Sequence, residues 1–180
     1  MKKALIVLTL VVVSICFCHG NSVALRYKEG GLVMKVTSPS FKNNEKMPAK
    51  FTYDGEDINP ALEIENLPEG TKSLALIVDD PDAPMKIWVH WVVYDIPPAT
   101  RIKEAAIPGL QGINDSGGKD YHGPCPPSGT HRYYFKVYAL DKVLALNEGI
   151  SKGDLEKVMR GHILSSAELV GLYNREKGKR

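Results

Sequence analysis

Apolar and polar residues alternate along much of this chain, and the alternation predicts strands. Leu32, Met34 and Val36 interleave with Val33, Lys35 and Thr37, and Ala61 to Glu65 repeats the pattern, the period of a half-buried strand. Two longer stretches, Lys72 to Val78 and Trp88 to Ile96, are apolar at nearly every position, as expected of central strands covered on both faces. His131 to Ala139 is dense in aromatic and β-branched residues, which suit a pleated surface. Ile163 to Tyr173 predicts a last extended segment. A short strand is expected near Lys50 to Thr52, between Met47-Pro48 and Tyr53-Asp54-Gly55. Asn59-Pro60 and Leu67-Pro68-Glu69-Gly70 mark turns.

One helix is well specified. Ser151 stands at its N-cap with Asp154 at the third helical position, and Ile150 and Leu155 occupy the hydrophobic-staple positions. Leu155, Val158 and Met159 make its apolar face, and Gly161 ends it. Many short strands with one or two short helices indicate an all-β domain, an antiparallel sandwich or barrel. No internal repeat or second domain is visible.

The first residues read differently. Lys2-Lys3, the apolar run Ala4 to Phe17 and Cys18-His19-Gly20 form the three parts of a secretory signal peptide, with cleavage expected after Gly20. The run is 14 residues long, short of the roughly 20 that span a bilayer, so a cleaved signal is favoured over an anchor. Residues 21–30 are expected to be a flexible start, 31–174 the domain and 175–180 a charged tail. The mature protein is expected outside the cytoplasm, secreted or periplasmic. Cys16 and Cys18 would leave with the signal, so Cys125 has no intrachain partner; a buried, inert thiol is favoured over one that pairs between chains. Net charge is +2, and without Lys2 and Lys3 the count is 21 basic against 21 acidic residues. Nothing in that balance points to nucleic acid.

Candidate chemistry gathers in three places. Asp79-Asp80-Pro81-Asp82-Ala83-Pro84 follows an apolar strand, and its prolines predict a stiff loop holding three carboxylates. In Trp88-Val89-His90-Trp91, period 2 places Trp88, His90 and Val92 on one face, with Val89, Trp91 and Val93 opposite. The third is Gly112 to Tyr138, GINDSGGKDYHGPCPPSGTHRYYFKVY, a Gly/Pro-rich loop feeding a strand, the arrangement by which scaffolds present functional loops. His131 and Tyr133 share a face there and offer an imidazole and a phenol, both able to donate to an oxyanion. Asp115-Ser116-Gly117-Gly118 resembles a chymotrypsin-type nucleophile motif, but no matching histidine site accompanies it. A hydrolase elbow, a Walker A motif and a Rossmann fingerprint are absent. His122 and His131 have no partner at metal-ligand spacing. No cofactor and no metal are expected.

Taken together, Asp80-Pro-Asp-Ala-Pro84, Trp88-Val-His90-Trp91, Gly123-Pro-Cys-Pro-Pro127 and Gly129-Thr-His131-Arg-Tyr133 resemble the phosphatidylethanolamine-binding protein family, closest to its bacterial and archaeal Raf-kinase-inhibitor-like branch. The resemblance runs from about Thr37 to Tyr173. It implies a two-sheet antiparallel β-sandwich with a small anion-binding pocket at its edge. Carried over residue by residue, it implies a ligand site of Asp80, Pro84, Trp88, His90, Gly123, Pro126, His131 and Tyr133.

The expected function is non-catalytic binding of a small anion or a phosphorylated head group. Asp80 is expected to accept from a histidine and favour its charged, donor form, with a loop N–H near Gly123 as a further donor. Anion affinity is then expected to fall as pH rises through the histidine pKa. The alternatives are a secreted inhibitor of a target protein such as a protease, and an uncharacterised hydrolase. An exposed strand edge leaves room for a homodimer.

Overall fold

The strongest strand signals become the long strands of one sheet. The computed structural model describes residues 32–175; the segments expected to be a signal peptide and a flexible start, and the residues after Arg175, lie outside the described residues. Among those described, nine strands follow in chain order. They are β1 (Lys35–Thr37), β2 (Glu45–Lys46), β3 (Leu62–Glu65), β4 (Ser73–Asp80), β5 (Trp88–Ile96), β6 (Arg101–Ile102), β7 (Leu110–Gln111), β8 (His131–Leu140) and β9 (Ile163–Tyr173). A helix, α1 (Lys152–Met159), lies between β8 and β9. The six-stranded sheet has the order β2-β9-β8-β4-β5-β7 and the three-stranded sheet β1-β3-β6. Neighbours are antiparallel except the short β2–β9 pair, which is parallel.

The all-β sandwich is therefore what the sequence predicts, with a helix on its outer face. One apolar cluster joins Val36, Leu62, Ile64 and Ile102 of the small sheet to Leu74, Leu76, Val78, Phe135 and Val137 of the large one. A second cluster, on the other face of the large sheet, packs Leu155 and Met159 of α1 onto Ala75, Ile77, Val92 and Tyr94. This is why β4 is apolar on both faces: each face has its own core. Each fully buried Leu or Met contributes roughly 1.5–3 kcal/mol. The helix starts as its sequence predicts, with the Ser151 hydroxyl accepting from the Asp154 N–H at 3.1 Å, and Gly161 takes the left-handed conformation at φ 83° just past its end.

The outer face also holds a charge. Asp79 is fully buried and its carboxylate meets Lys136 of β8 at 2.8 Å and Lys152 of α1 at 2.5 Å. Both lysines keep partial contact with solvent, so the charges are neutralised without full desolvation of the cations. The helix start is thereby pinned to the sheet.

Four expectations need correction. The segment near Lys50 is a 3-10 turn, Ala49–Phe51, and not a strand. Pro48 fixes the entry, and Phe51 and Thr52 N–H groups turn back to the carbonyls of Pro48 and Ala49. Leu32 and Val33 are exposed and precede the short β1. Strand β4 runs two residues further than the apolar pattern indicates, so Asp79 and Asp80 belong to the strand and only Asp82 to the loop. Each of those two carboxylates has its own cationic or N–H partners, which is what permits its burial.

The fourth correction concerns the faces of β5. Asp79 pairs with Val89 and Val78 with Trp91, so His90 is the extra residue of a β-bulge. The strict period is broken there. Val89 and Val92 face the helix-side core, whereas Trp91 faces the inter-sheet core. A second irregularity lies between Leu74 and Leu76, opposite Asp95 at φ 52°, whose carboxylate accepts from the N–H groups of Leu144 and Ala145.

Gly112 sets how the following loop leaves the sheet. Its N–H donates to the Val92 carbonyl at 2.9 Å. A Cβ there would lie 2.4 Å from the Ile150 carbonyl oxygen and 2.7 Å from Val92 Cγ1. Backbone cannot yield as a side-chain tip can, so Gly112→Ala is expected to lower the unfolding free energy by about 1–3 kcal/mol. Urea denaturation of the variant beside wild type checks this; equal midpoints would contradict it.

Candidate functional site

Antiparallel pairing brings the end of β4 beside the starts of β5 and β8. Asp80 pairs with Trp88, and Tyr134 pairs with Asp79. Asp80 and His131 therefore meet on the inner face, where the inter-sheet core runs out. The carboxylate of Asp80 divides its two oxygens. One accepts from His131 Nδ1 at 2.7 Å and the other from the Asp82 N–H at 2.8 Å. Both residues are nearly buried, with side chains 5% and 9% exposed. A carboxylate accepting at Nδ1 fixes the ring's tautomer and orientation and leaves Nε2 for another partner.

The loop after β4 is held by charge. Asp82 takes the Arg132 guanidinium at 2.6 and 2.9 Å and the Arg132 N–H at 2.9 Å. The Arg132 hydrogen bonds hold the Asp82 carboxyl down at about 2. Arg132 is thus engaged on the outer side of β8. Lys86 is engaged too: its ammonium meets Asp115 at 2.6 Å and lies 5.6 Å from the Trp88 ring centre.

His90, projected by the bulge, is positioned through the loop between β7 and β8. Its Nδ1 lies 2.6 Å from the His122 carbonyl oxygen, and the His122 N–H donates to the His90 carbonyl at 3.1 Å. A carbonyl can only accept, so Nδ1 carries the hydrogen. The two imidazoles stack at 6.0 Å with their planes 16° apart. Burial lowers the His90 pKa from its ordinary value, partly opposed by the bond to His122 and by the charge of Asp80. The ring is neutral at neutral pH.

Tyr133 sits edge-on to His90, centroids 5.2 Å apart at 76°. It is fully buried, and its hydroxyl has no hydrogen-bond partner. The phenol lies near the Asp80 carboxylate and the Cys125 backbone without meeting either in hydrogen-bond geometry. Burial first, then the Asp80 charge, pushes its pKa well above the ordinary phenol value. The group therefore stays an O–H donor. An unsatisfied buried hydroxyl costs roughly 1–3 kcal/mol.

These groups surround a pocket of about 250 Å³. Six of the eight expected residues line it: Asp80, Pro84, Trp88, His90, His131 and Tyr133. Gly123 and Pro126 do not. The Gly123 N–H is already donated to Asp57 at 2.6 Å, and a Cβ on Gly123 would lie 2.8 Å from Thr52 backbone. Its smallness serves loop packing, and the expected anion donor there is already committed. Pro126 is buried beside the pocket wall that Cys125 and Pro127 form.

Ala83, His122, Cys125 and Pro127 complete the lining and were missed. His122 carried a signal, a second histidine in the same loop, but its use is through its backbone and its stacked ring. Cys125 is half-buried at the wall, not fully buried as expected, and burial raises its pKa. Among the described residues no group of three or more His, Cys, Asp or Glu side chains is arranged to hold a metal ion. A larger hollow of about 340 Å³ lies at Met47, Pro48, Asp54, Tyr173 and Asn174. There the Asp54 carboxylate is bound to Arg175 and Tyr173. Arg175, expected in a solvated tail, is thereby part of the folded domain.

Ser116 is exposed in a turn organised by Asn114, whose side-chain oxygen accepts from the N–H groups of Ser116 and Gly118. The protease-like string is a structural loop.

Known proteins share this fold and much of its sequence. The family profile described as phosphatidylethanolamine-binding protein matches residues 37–174. A protein of Methanothermobacter thermautotrophicus, described as a UPF0098 protein, is 48% identical over 150 residues, covering 79% of this chain and 99% of the relative. A UPF0098 protein of Aquifex aeolicus is 50% identical over 160 residues, covering 83% and 94%. Among solved structures, a phosphatidylethanolamine-binding protein homologue from Chlamydia trachomatis superposes with a TM-score of 0.77 at 42% identity, over 80% of this chain and 99% of that one. E. coli YbcL, described as a member of the mammalian family, gives 0.74 at 30% identity over 81% and 100%.

The lowered His90 pKa makes a stability prediction. The unfolded chain takes up a proton at about pH 6.5, whereas folded His90 takes it up only at lower pH. The unfolded state therefore binds more protons between those values, and folding weakens as pH falls through that window. In His90→Asn the amide N–H can keep the bond to the His122 carbonyl but cannot titrate. Unfolding free energies measured from pH 7.5 to 5 are expected to fall less steeply in the variant. Parallel curves would show that His90 is not the buried neutral group described.

Proposed function

The chain belongs to the phosphatidylethanolamine-binding protein family, and from that premise we propose that its pocket binds a small oxyanion, free or as the phosphorylated head group of a larger molecule, without transforming it. The observation that carries this reading is the Tyr133 hydroxyl, buried, protonated and without a partner at the pocket wall. An anionic oxygen supplies the acceptor it lacks, in a site where hydrogen bonds to charge are stronger than in water. His131 adds a second donor: when protonated, its Nε2–H reaches the anion while Asp80 balances the charge from the other side of the ring. Trp88 and Pro84 supply apolar walls, as small-ligand pockets generally have.

Family membership is consistent with a binding protein. The pocket's own thiol, Cys125, is held toward its protonated form by burial, which suppresses nucleophilic chemistry. With the N-terminal segment read as a signal peptide, the binding takes place outside the cytoplasm.

Isothermal titration with inorganic phosphate and with phosphoethanolamine tests the proposal. Tyr133→Phe is expected to weaken binding roughly ten- to a hundredfold, the worth of a hydrogen bond to a charged group. His131→Ala is expected to lose affinity while keeping its far-ultraviolet circular dichroism. Without ligand, Tyr133→Phe should unfold at the same or higher denaturant concentration than wild type, because it discards an unsatisfied hydroxyl. Undiminished phosphate affinity in Tyr133→Phe would sink the proposal.

A further inference from the structure

We propose that a second hollow, walled by Trp91 and Tyr121 and sharing no residue with the anion pocket, binds a primary ammonium group on an apolar stem, as a small alkylamine or as the lysine side chain of a polypeptide.

The hollow measures about 210 Å³, room for several water-sized groups. Three segments meet there: residues 57–59, residues 105–107 between β6 and β7, and Asp120-Tyr121 between β7 and β8. Trp91 of β5 and Tyr121 stand edge to face, ring centres 5.6 Å apart at 82°. The Trp91 indole N–H donates to Gln111 Oε1 at 2.8 Å, and the Tyr121 hydroxyl donates to the Phe51 carbonyl at 2.8 Å. Their polar atoms are used, so what these rings offer a ligand is aromatic carbon. Ile107 adds an apolar rim, 72% exposed. That rim is held from within the fold. Buried Asn59 accepts from the Ala105 and Ala106 N–H groups at 3.1 and 3.0 Å and donates to the Lys103 carbonyl at 2.9 Å. Ala105 is thereby kept at φ 50°, a left-handed conformation that alanine disfavours.

The charged groups of the lining are two carboxylates, Asp57 and Asp120. Asp57 accepts from the Gly123 N–H at 2.6 Å and Asp120 from the Asn114 amide at 3.3 Å. These are neutral donors, so both negative charges stay unbalanced. No lysine or arginine lines the hollow, and the Lys119 ammonium lies near Gly149 instead. Burial, and then the charge of Asp57, raise the Tyr121 pKa above the ordinary phenol value, so that charge is felt at the aromatic wall. A ligand must therefore bring positive charge together with apolar surface. An anion is repelled by both carboxylates. A hard divalent cation takes about six or more oxygen ligands, and among the described residues no group of three or more His, Cys, Asp or Glu side chains is arranged to hold a metal. An ammonium brings three N–H donors, which two carboxylates can accept. Its stem covers Trp91, Tyr121 and Ile107 in the way lysine stems lie along apolar surface, and shielding from water strengthens the charged hydrogen bonds.

The chain has two tryptophans, and they divide between the two sites: Trp88 lines the anion pocket and Trp91 this hollow. Their indole N–H signals therefore report the sites separately. The test is an NMR titration with n-butylammonium chloride, run beside n-butanol, sodium chloride and the blocked peptide acetyl-Gly-Lys-Gly-amide. n-Butylammonium is expected to shift the Trp91 signal saturably, to leave Trp88 in place, and to bind at least about tenfold more tightly than n-butanol, the worth of a hydrogen bond to a charged group. A peptide that binds more tightly than n-butylammonium assigns the hollow to lysine side chains; one that binds no better assigns it to small amines. Asp57→Asn keeps an oxygen for the Gly123 N–H, and Asp120→Asn keeps one for the Asn114 amide. The double variant is expected to bind n-butylammonium no better than n-butanol. Equal wild-type affinity for those two, a Trp91 shift that sodium chloride reproduces, a shift of Trp88 without Trp91, or no saturable shift overturns the inference. Undiminished n-butylammonium binding in the folded double variant overturns it as well. None of these outcomes bears on the anion pocket, whose test is Tyr133→Phe.

Discussion

The contact between Asp80 and His131 is the constraint on which the site depends. It joins the end of one central strand to the start of another, at 2.7 Å and nearly out of water. Neither partner tolerates that position alone: a buried carboxylate without a partner is costly, and a free imidazole would choose its own orientation. Together they close the inter-sheet core with a polar pair instead of more apolar packing. The second oxygen of Asp80 then fixes the turn into the following loop through the Asp82 N–H, and Asp82 in turn grips Arg132. One carboxylate thus sets a histidine, a loop and the outer anchor of that loop.

Around this pair the molecule treats its buried polar groups in two ways. Asp79, one residue earlier and on the opposite face, is neutralised by two lysines and serves only structure. Asn114 and Asp57 spend their side-chain oxygens on loop N–H groups. Each of these has partners within the fold. The Tyr133 hydroxyl has none, and it stands at the small cavity that the His90 and His131 rings also line. A buried hydroxyl left without an acceptor costs stability, which is the physical argument for a ligand.

The long strands and the helix were legible because their signals are local. Period-2 alternation, double-sided apolar runs, a serine N-cap and a terminal glycine each act within a few residues. The errors arose where a few residues have more than one local solution. At Lys50 a proline starts a single turn that buries Phe51, and a short apolar string cannot reveal that. In β5 one inserted residue, His90, shifts every face assignment around it, and a bulge leaves no pattern in one strand because it is defined by its partner. Asp79 and Asp80 looked like loop because prolines follow; their partners are far along the chain, at 131, 136 and 152.

Six of the eight expected residues line the pocket; all were named through family resemblance, and period 2 alone linked only His131 to Tyr133 and Trp88 to His90. Gly123 and Pro126 do not line the pocket, and a motif records that a small or rigid residue is needed but not whether the ligand or the fold needs it. His122 contributes chiefly its carbonyl and N–H, which every residue has, so its side chain advertised little. The most direct measurement is a crystal structure of the protein grown with phosphate. The account predicts an anion inside the pocket with one oxygen about 2.5–3.0 Å from the Tyr133 hydroxyl and another beside His131 Nε2. A pocket left without anion while phosphate binds elsewhere on the protein would contradict it.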